Sequence, residues 1–238
     1  AGLFPPAELD MASAVRAYAD ERRRELRWAL GRFIVPASRL EEFPPLTSER
    51  DPWILSVLAG PDLPADLRAI GAFRRRRRDA QVASVELKVG APDEVRIASG
   101  KSDGDLEPFY EIPIGEPPDA YLEAIGRERA RAKIRLGGTV PSTADLVRFL
   151  VAALKADVGF KATAGLHHPL RSADGSQHGF LNLFLAAAFL RSGMDPAEVA
   201  RVIDETEPTA FRFDERVAAW RGKHVDRSAV VETRRSFA

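Results

Sequence analysis

Residues 160–169 read F-K-A-T-A-G-L-H-H-P and place a lysine, a threonine and two adjacent histidines within ten positions. The lysine, Lys161, is an amine that can add to a carbonyl carbon, and His167 and His168 can exchange protons near neutral pH. Further ionisable groups sit singly or in pairs inside short apolar runs. V-E-L-K-V carries Glu86 and Lys88, F-Y-E-I-P-I carries Glu111, K-I-R-L-G-G carries Lys133 and Arg135, and A-F-R-F-D carries Arg212 and Asp214. The two-residue period of a strand puts Glu86 with Lys88, Lys133 with Arg135, and Lys161 with Thr163 on common faces, with apolar neighbours turned the other way. A buried charge without a partner costs several kcal/mol, so these groups must pair with one another or line a wet pocket.

The chain has to bring them together. Its apolar runs alternate with amphipathic stretches. Strands are expected at residues 32–36, 53–59, 82–89, 109–114, 133–138, 159–165 and 210–214. Helices are expected from Glu8, over 64–78, 91–99, 117–129, from Ser142, from Asp195, and from Asp226 onward. Leu146, Phe149, Leu150, Ala153 and Leu154 form a 3.6-residue stripe behind the Ser142 cap, and Asp195-Pro196-Ala197-Glu198 carries a cap, a proline at the first helical position and an acid in the first turn. Steady strand–helix alternation implies parallel strands with right-handed crossovers, and a (β/α)8 TIM-type barrel in one domain over 1–238 is the best fit. Seven strands are identifiable. The eighth is expected within residues 179–190 or beyond Ala238, although the length and alanines of 179–190 favour a helix. An open doubly wound sheet is the structural alternative. In a barrel, the inward groups at strand ends gather at one mouth.

Composition narrows the partners. Lys+Arg 35 balances Asp+Glu 35, so bulk charge draws the chain toward neither nucleic acid nor an anionic membrane. No apolar run approaches the roughly 20 residues of a membrane span. With no cysteines, disulfides and thiolate chemistry are excluded, and a cytoplasmic location is expected. Residues 1–6 lack the pattern of a secretory signal. The first residue is not Met, so further N-terminal residues are expected. The five arginines from Arg74 to Arg78 read as an exposed last helical turn complementing the helix dipole; isolated in a neutral chain, they do not make a nucleic-acid patch. The cations Lys88, Lys133, Arg135, Lys161 and Arg212 outnumber Glu86, Glu111 and Asp214, which favours a substrate bearing carboxylate or phosphate. Gly137 and Gly138 permit close backbone approach to an anion. His178 reads as part of a helix start, and Asn182, inside an apolar run, needs a partner and is a candidate for substrate binding. A homo-oligomer is compatible with all of this.

G-L-F-P-P-A at 2–7, K-I-R-L-G-G at 133–138, residues 160–169 and H-G-F-L-N at 178–182 together resemble an uncharacterised family of bacterial proteins, over most of the chain. That resemblance implies no activity, but it implies chains that continue past the position of Ala238. More locally, Lys161-Ala162-Thr163-Ala164-Gly165 resembles the K-x-[ST]-x-G strand of class I, Schiff-base aldolases such as deoxyribose-phosphate aldolase, where it is the sixth strand of a (β/α)8 barrel. The implied role of Lys161 is the imine-forming amine, its pKa depressed by Lys133 or Arg135, with Glu111 as proton shuttle. The phosphate-binding glycine strand of those aldolases has no counterpart here. Two other readings stand beside it. Glu86, Glu111, His167 and His168 could hold a divalent metal that stabilises an enolate, without any metal-binding spacing to support it, or the cationic pocket could hold a small anion without turning it over.

Overall fold

Short apolar runs become strands and amphipathic stretches become helices in alternation in the computed structural model of the chain, which describes residues 2–5, 7–44, 52–100 and 105–237. Ala1 and Pro6 of the opening segment, Asp51 ahead of the second expected strand, and residues 101–104 of the polar stretch before the fourth lie outside the described residues. Six strands run in sequence order in one sheet: β1 (Phe33–Pro36), β2 (Trp53–Leu58), β3 (Ala80–Lys88), β4 (Glu107–Glu111), β5 (Arg131–Arg135) and β6 (Phe160–Thr163). The β1–β2, β2–β3 and β5–β6 pairs are parallel. After α1 (Met11–Arg23), the intervening helices are α2 (Leu63–Arg76), α3 (Pro92–Ser99), α4 (Asp119–Arg127) and α5 (Thr143–Lys155). The βα alternation of a TIM-like fold is therefore present, but the parallel sheet has six strands among the described residues, not the eight of a closed barrel.

Two expectations for the missing strands are corrected. Residues 179–190 hold no strand; as their length and alanines favoured, they form the helix α6 (Phe180–Arg191), apolar all round because it is buried on most sides. The seventh expected strand does not join the parallel sheet either. It becomes β7 (Phe211–Phe213) of a separate antiparallel meander with β8 (Val217–Trp220) and β9 (Lys223–Asp226). The reason is local. Trp220 pairs with Lys223 across the two residues Arg221 and Gly222, which have φ of 45° and 79°, the left-handed pair that a tight hairpin requires. That hairpin joins β8 to β9; β7 is joined to β8 by the short turn at Asp214, whose carboxylate accepts from the Arg216 and Val217 N–H groups, so β7 meets β8 before any distant strand. The expected cap at Asp195 opens α7 (Pro196–Ile203), and α8 (Arg227–Ser236) ends the described chain.

The chain divides into two compact units, Ala1–Lys88 with Ile97–Phe109, and Val89–Arg96 with Tyr110–Ala238. In the first, Val35, Leu55 and Val57 are fully buried, and the rings of Tyr18, Phe33, Phe43, Trp53 and Phe73 form one chain of edge-to-face and tilted contacts with centroids 4.7–6.2 Å apart. In the second, Ile134 of β5 and Leu122, Ile125, Leu146 and Leu183 of the helices are buried. Ser142 and Asp145 close a reciprocal capping box at the start of α5, as their spacing foretold. Buried Glu205 ties the meander down by accepting from Trp220 Nε1 at 2.8 Å and from Arg221 Nε at 2.6 Å. Burial pushes its carboxyl up, but Arg221, the Glu207 N–H and Trp220 outweigh that and hold it below its ordinary value.

The arginine run departs from expectation at two residues: Arg74 is half-buried, and Arg77 is bonded inward. The α2 helix ends at Arg76, and Arg77 turns inward. It donates to both Asp79 carboxylate oxygens at 2.7 Å and to the carbonyls of Phe43 and Pro44, and its guanidinium stacks on the Phe43 and Phe73 rings. Replacing Arg77 by Met should therefore cost about 3 kcal/mol in urea unfolding, because the buried Asp79 carboxylate and two carbonyls lose their donor, whereas Arg75→Ala should shift stability by less than about 0.5 kcal/mol. Equal effects would contradict the structural role assigned to Arg77.

Candidate functional site

The ionisable groups of the second unit converge at the C-terminal ends of β4, β5 and β6. The Ile112 N–H donates to the Lys133 carbonyl at 3.1 Å, which sets the end of β4 against β5. Glu111 and Lys133 then meet in an ion pair of 2.7 Å, with their side chains only 15% and 5% exposed. Lys133 is also the register partner of Lys161 on β6, which is 8% exposed, and two residues further on, Arg135 is the partner of Thr163. Strand alternation carries Lys133 with Arg135, and Lys161 with Thr163, onto the same faces. The Thr163 hydroxyl donates to the Ile134 carbonyl at 3.3 Å, and Arg135 is exposed at the strand end.

The turns that follow these strands pack into each other. A Cβ on Gly137 would lie 2.8 Å from Ala164 Cβ, and one on Gly165 would lie 2.6 Å from the Leu136 carbonyl oxygen, so both must be glycine. Gly138 has φ +88° and Gly165 φ +69°, and between β6 and Gly165 stands Ala164 with φ +59°, a conformation that costs a residue with a Cβ about 1 kcal/mol or more. His167 and His168 lie in the loop beyond, both exposed, where the His168 carbonyl accepts from the Phe180 N–H.

The remaining sequence candidates take other places. Glu86 belongs to the first unit, where a register shift between Leu55 and Ser56 brings Ser56 opposite Ser84. Ser84 donates to Ser56 at 2.8 Å, Ser56 donates to Glu86 at 2.7 Å, and all three are buried. Sequence reasoning missed those two serines; serines at paired strand positions before an in-strand Glu are the available signal. Lys88 is exposed at the end of β3. Arg212 is exposed on β7 of the antiparallel meander, so it shares no sheet with Lys133; its expected place on a seventh parallel strand is corrected with that strand. Asn182 is fully buried, and its amide is engaged throughout with main chain. It donates to the Val202 and Glu205 carbonyls and accepts from the Arg171 N–H, all at 2.8–2.9 Å. Among the described residues, no three His, Asp or Glu side chains gather in an arrangement that could hold a metal ion.

His178 joins the loops behind β5 and β6. Its Nε2 donates to the Pro141 carbonyl at 2.8 Å, and its Nδ1 accepts from Arg171 at 2.7 Å, which fixes the neutral ring with its proton on Nε2. Arg171 also approaches Asp204 at 3.6 Å, and Thr143 donates to the same carboxylate. Sequence reasoning missed Arg171 as well, since nothing in its loop sequence separates it from a solvated arginine. Burial holds the His178 pKa below its ordinary value; the Arg171 guanidinium adds to this, while the Pro141 bond and Asp204 oppose it.

No protein-family model matches the chain, and no curated protein matches it. The site therefore rests on its own geometry.

Because its folded-state pKa is depressed, His178 contributes stability above its unfolded value of about 6.5 that is lost as the pH falls through the lower folded value. The stability gap between the wild-type chain and His178→Gln, measured by urea unfolding, should therefore narrow as the pH is lowered from about 7.5 to about 5. Parallel curves would remove His178 from the acid sensitivity of the fold. Asn182→Ala, by leaving two carbonyls and one N–H unsatisfied, should cost about 2–3 kcal/mol.

Proposed function

We propose that the chain is an enzyme of the lyase or aldolase type acting on a small metabolite that carries a carboxylate or phosphate, with Lys161 as the imine-forming amine. The observation that carries the reading is the row Glu111, Lys133, Lys161 across neighbouring strand ends, with a carboxylate bonded to the first lysine and a second buried lysine in register beside it. Imine formation needs a neutral amine. Burial and a second ammonium on the adjacent strand both work in that direction for Lys161.

The chemistry balances with the residues in hand. The Lys161 Nζ lone pair adds to the substrate carbonyl carbon, and the carbinolamine loses its oxygen as water. The protonated imine then accepts the electron pair of the bond cleaved beside it, while a carboxylate takes the proton released from the departing hydroxyl. Glu111 is the carboxylate at this site; Lys133 holds it in place, and Glu111 returns the proton to the enamine carbon. Hydrolysis of the imine then frees Lys161. The resemblance of residues 161–165 to the Schiff-base strand of class I aldolases supports the same assignment for Lys161. Arg135 and Thr163, at the open end of the same two strands, suit the anionic part of the substrate.

Reduction with borohydride tests this directly. The protein is incubated with pyruvate, dihydroxyacetone phosphate, glyceraldehyde 3-phosphate or acetaldehyde, then reduced and mapped by mass spectrometry. A covalent tag on the peptide holding Lys161, absent from Lys161→Arg, is the expected result, and Glu111→Gln should slow its formation by about 10²-fold. An untagged Lys161 across these carbonyl compounds, with thermal stabilisation by the same compounds recovered unchanged, would instead make the chain a non-catalytic anion binder.

A further inference from the structure

We infer that the paired turns after β5 and β6 form a phosphate subsite, which takes the phosphate group of a phosphorylated substrate while Lys161 meets its carbonyl. The inference deepens the proposed function and rests on it only for the part played by Lys161.

The argument begins with main-chain donors. Among the described residues, the N–H groups of Gly137, Gly138, Ala164 and Gly165 have no hydrogen-bond acceptor. They do not belong to scattered loops. Gly137 and Gly165 face each other closely, the Gly165 nitrogen lying 3.0 Å from where a Gly137 Cβ would be. A side chain on Gly137 or Gly165 is excluded by Ala164 Cβ and by the main chain of the facing turn, so the two turns are held close together at the strand ends. Ala164 is held at φ +59° within one of them, a strained backbone at the end of the strand that carries Lys161. Stability alone would be better served there by a relaxed turn.

The side chains add the charge. The Arg135 side chain, two residues before Gly137, is exposed and has no ion-pair or hydrogen-bond partner among the described residues. It lies in register with Thr163, which directly precedes Ala164. A guanidinium fork and four main-chain donors exceed what the two oxygens of a carboxylate accept, and they suit the three terminal oxygens of a phosphate group. Lys161 stands on β6, three residues before Ala164, which suits a substrate bound by its phosphate at the turn and reacting at Lys161.

Amide NMR of the full chain titrated with inorganic phosphate tests the subsite without any turnover. Saturable shifts are expected at Gly137, Gly138, Ala164 and Gly165. Arg135→Gln, an exposed and conservative change, should weaken the apparent affinity by about tenfold or more. Acetate should bind at least about tenfold more weakly than phosphate. Lys161→Met should leave phosphate binding in place, so the subsite survives even if the borohydride experiment fails. Small shifts spread over the surface, an Arg135→Gln affinity equal to the wild type, or equal binding of acetate would each overturn the inference.

Discussion

The arrangement depends on how Lys133 is neutralised. An ammonium on a strand flanked on both sides, almost wholly shielded from water, loses hydration worth several kcal/mol, a cost that a carboxylate alongside offsets. Glu111 supplies that carboxylate because the main-chain bond from Ile112 to Lys133 sets the two strand ends level. Once Lys133 is fixed, parallel register fixes Lys161 beside it, and the two-residue period carries Arg135 and Thr163 to the open end. A one-residue slip of either strand would turn all of these groups to the apolar side, so the ion pair and the hydrophobic pattern enforce the same register.

The surroundings spend their polar groups on structure. Asn182, Glu205, His178 and Arg171 are each bonded to main chain or to one another, and they hold α6, α7, the meander and the two loops behind β5 and β6. None of them needs a ligand to be satisfied. The contrast with Arg135 and the turn amides, which have polar capacity left over, is what separates scaffold from candidate site in this unit.

Much of this is legible in the sequence, for identifiable reasons. Glu111, Lys133 and Lys161 can be placed because each stands between apolar neighbours with a period of two, and buried strands tolerate such residues only on a shared face. The caps at Ser142 and Asp195 are legible because they are local. The seventh strand is misplaced by its pattern, and Arg212 with it, because A-F-R-F alternates identically in a parallel sheet and in a hairpin; the tight turns at Asp214 and at Arg221-Gly222, which fold β7, β8 and β9 into a meander, decide between them. Arg77 is unreadable for a different reason. Its acceptors at Phe43 and Pro44 come from more than thirty residues away, and nothing in five successive arginines distinguishes the one that turns inward. Asn182 announces that it needs partners, but not that all of them are main chain.

The most direct measurement is the titration of Lys161 itself, followed by NMR of lysine side chains labelled at Cε and assigned with Lys161→Arg. A chain built to form imines at this residue should show Lys161 titrating clearly below the ordinary lysine value of about 10.4. A Lys161 that titrates at or above that value would be a permanently charged structural lysine, and the proposed chemistry would have no nucleophile.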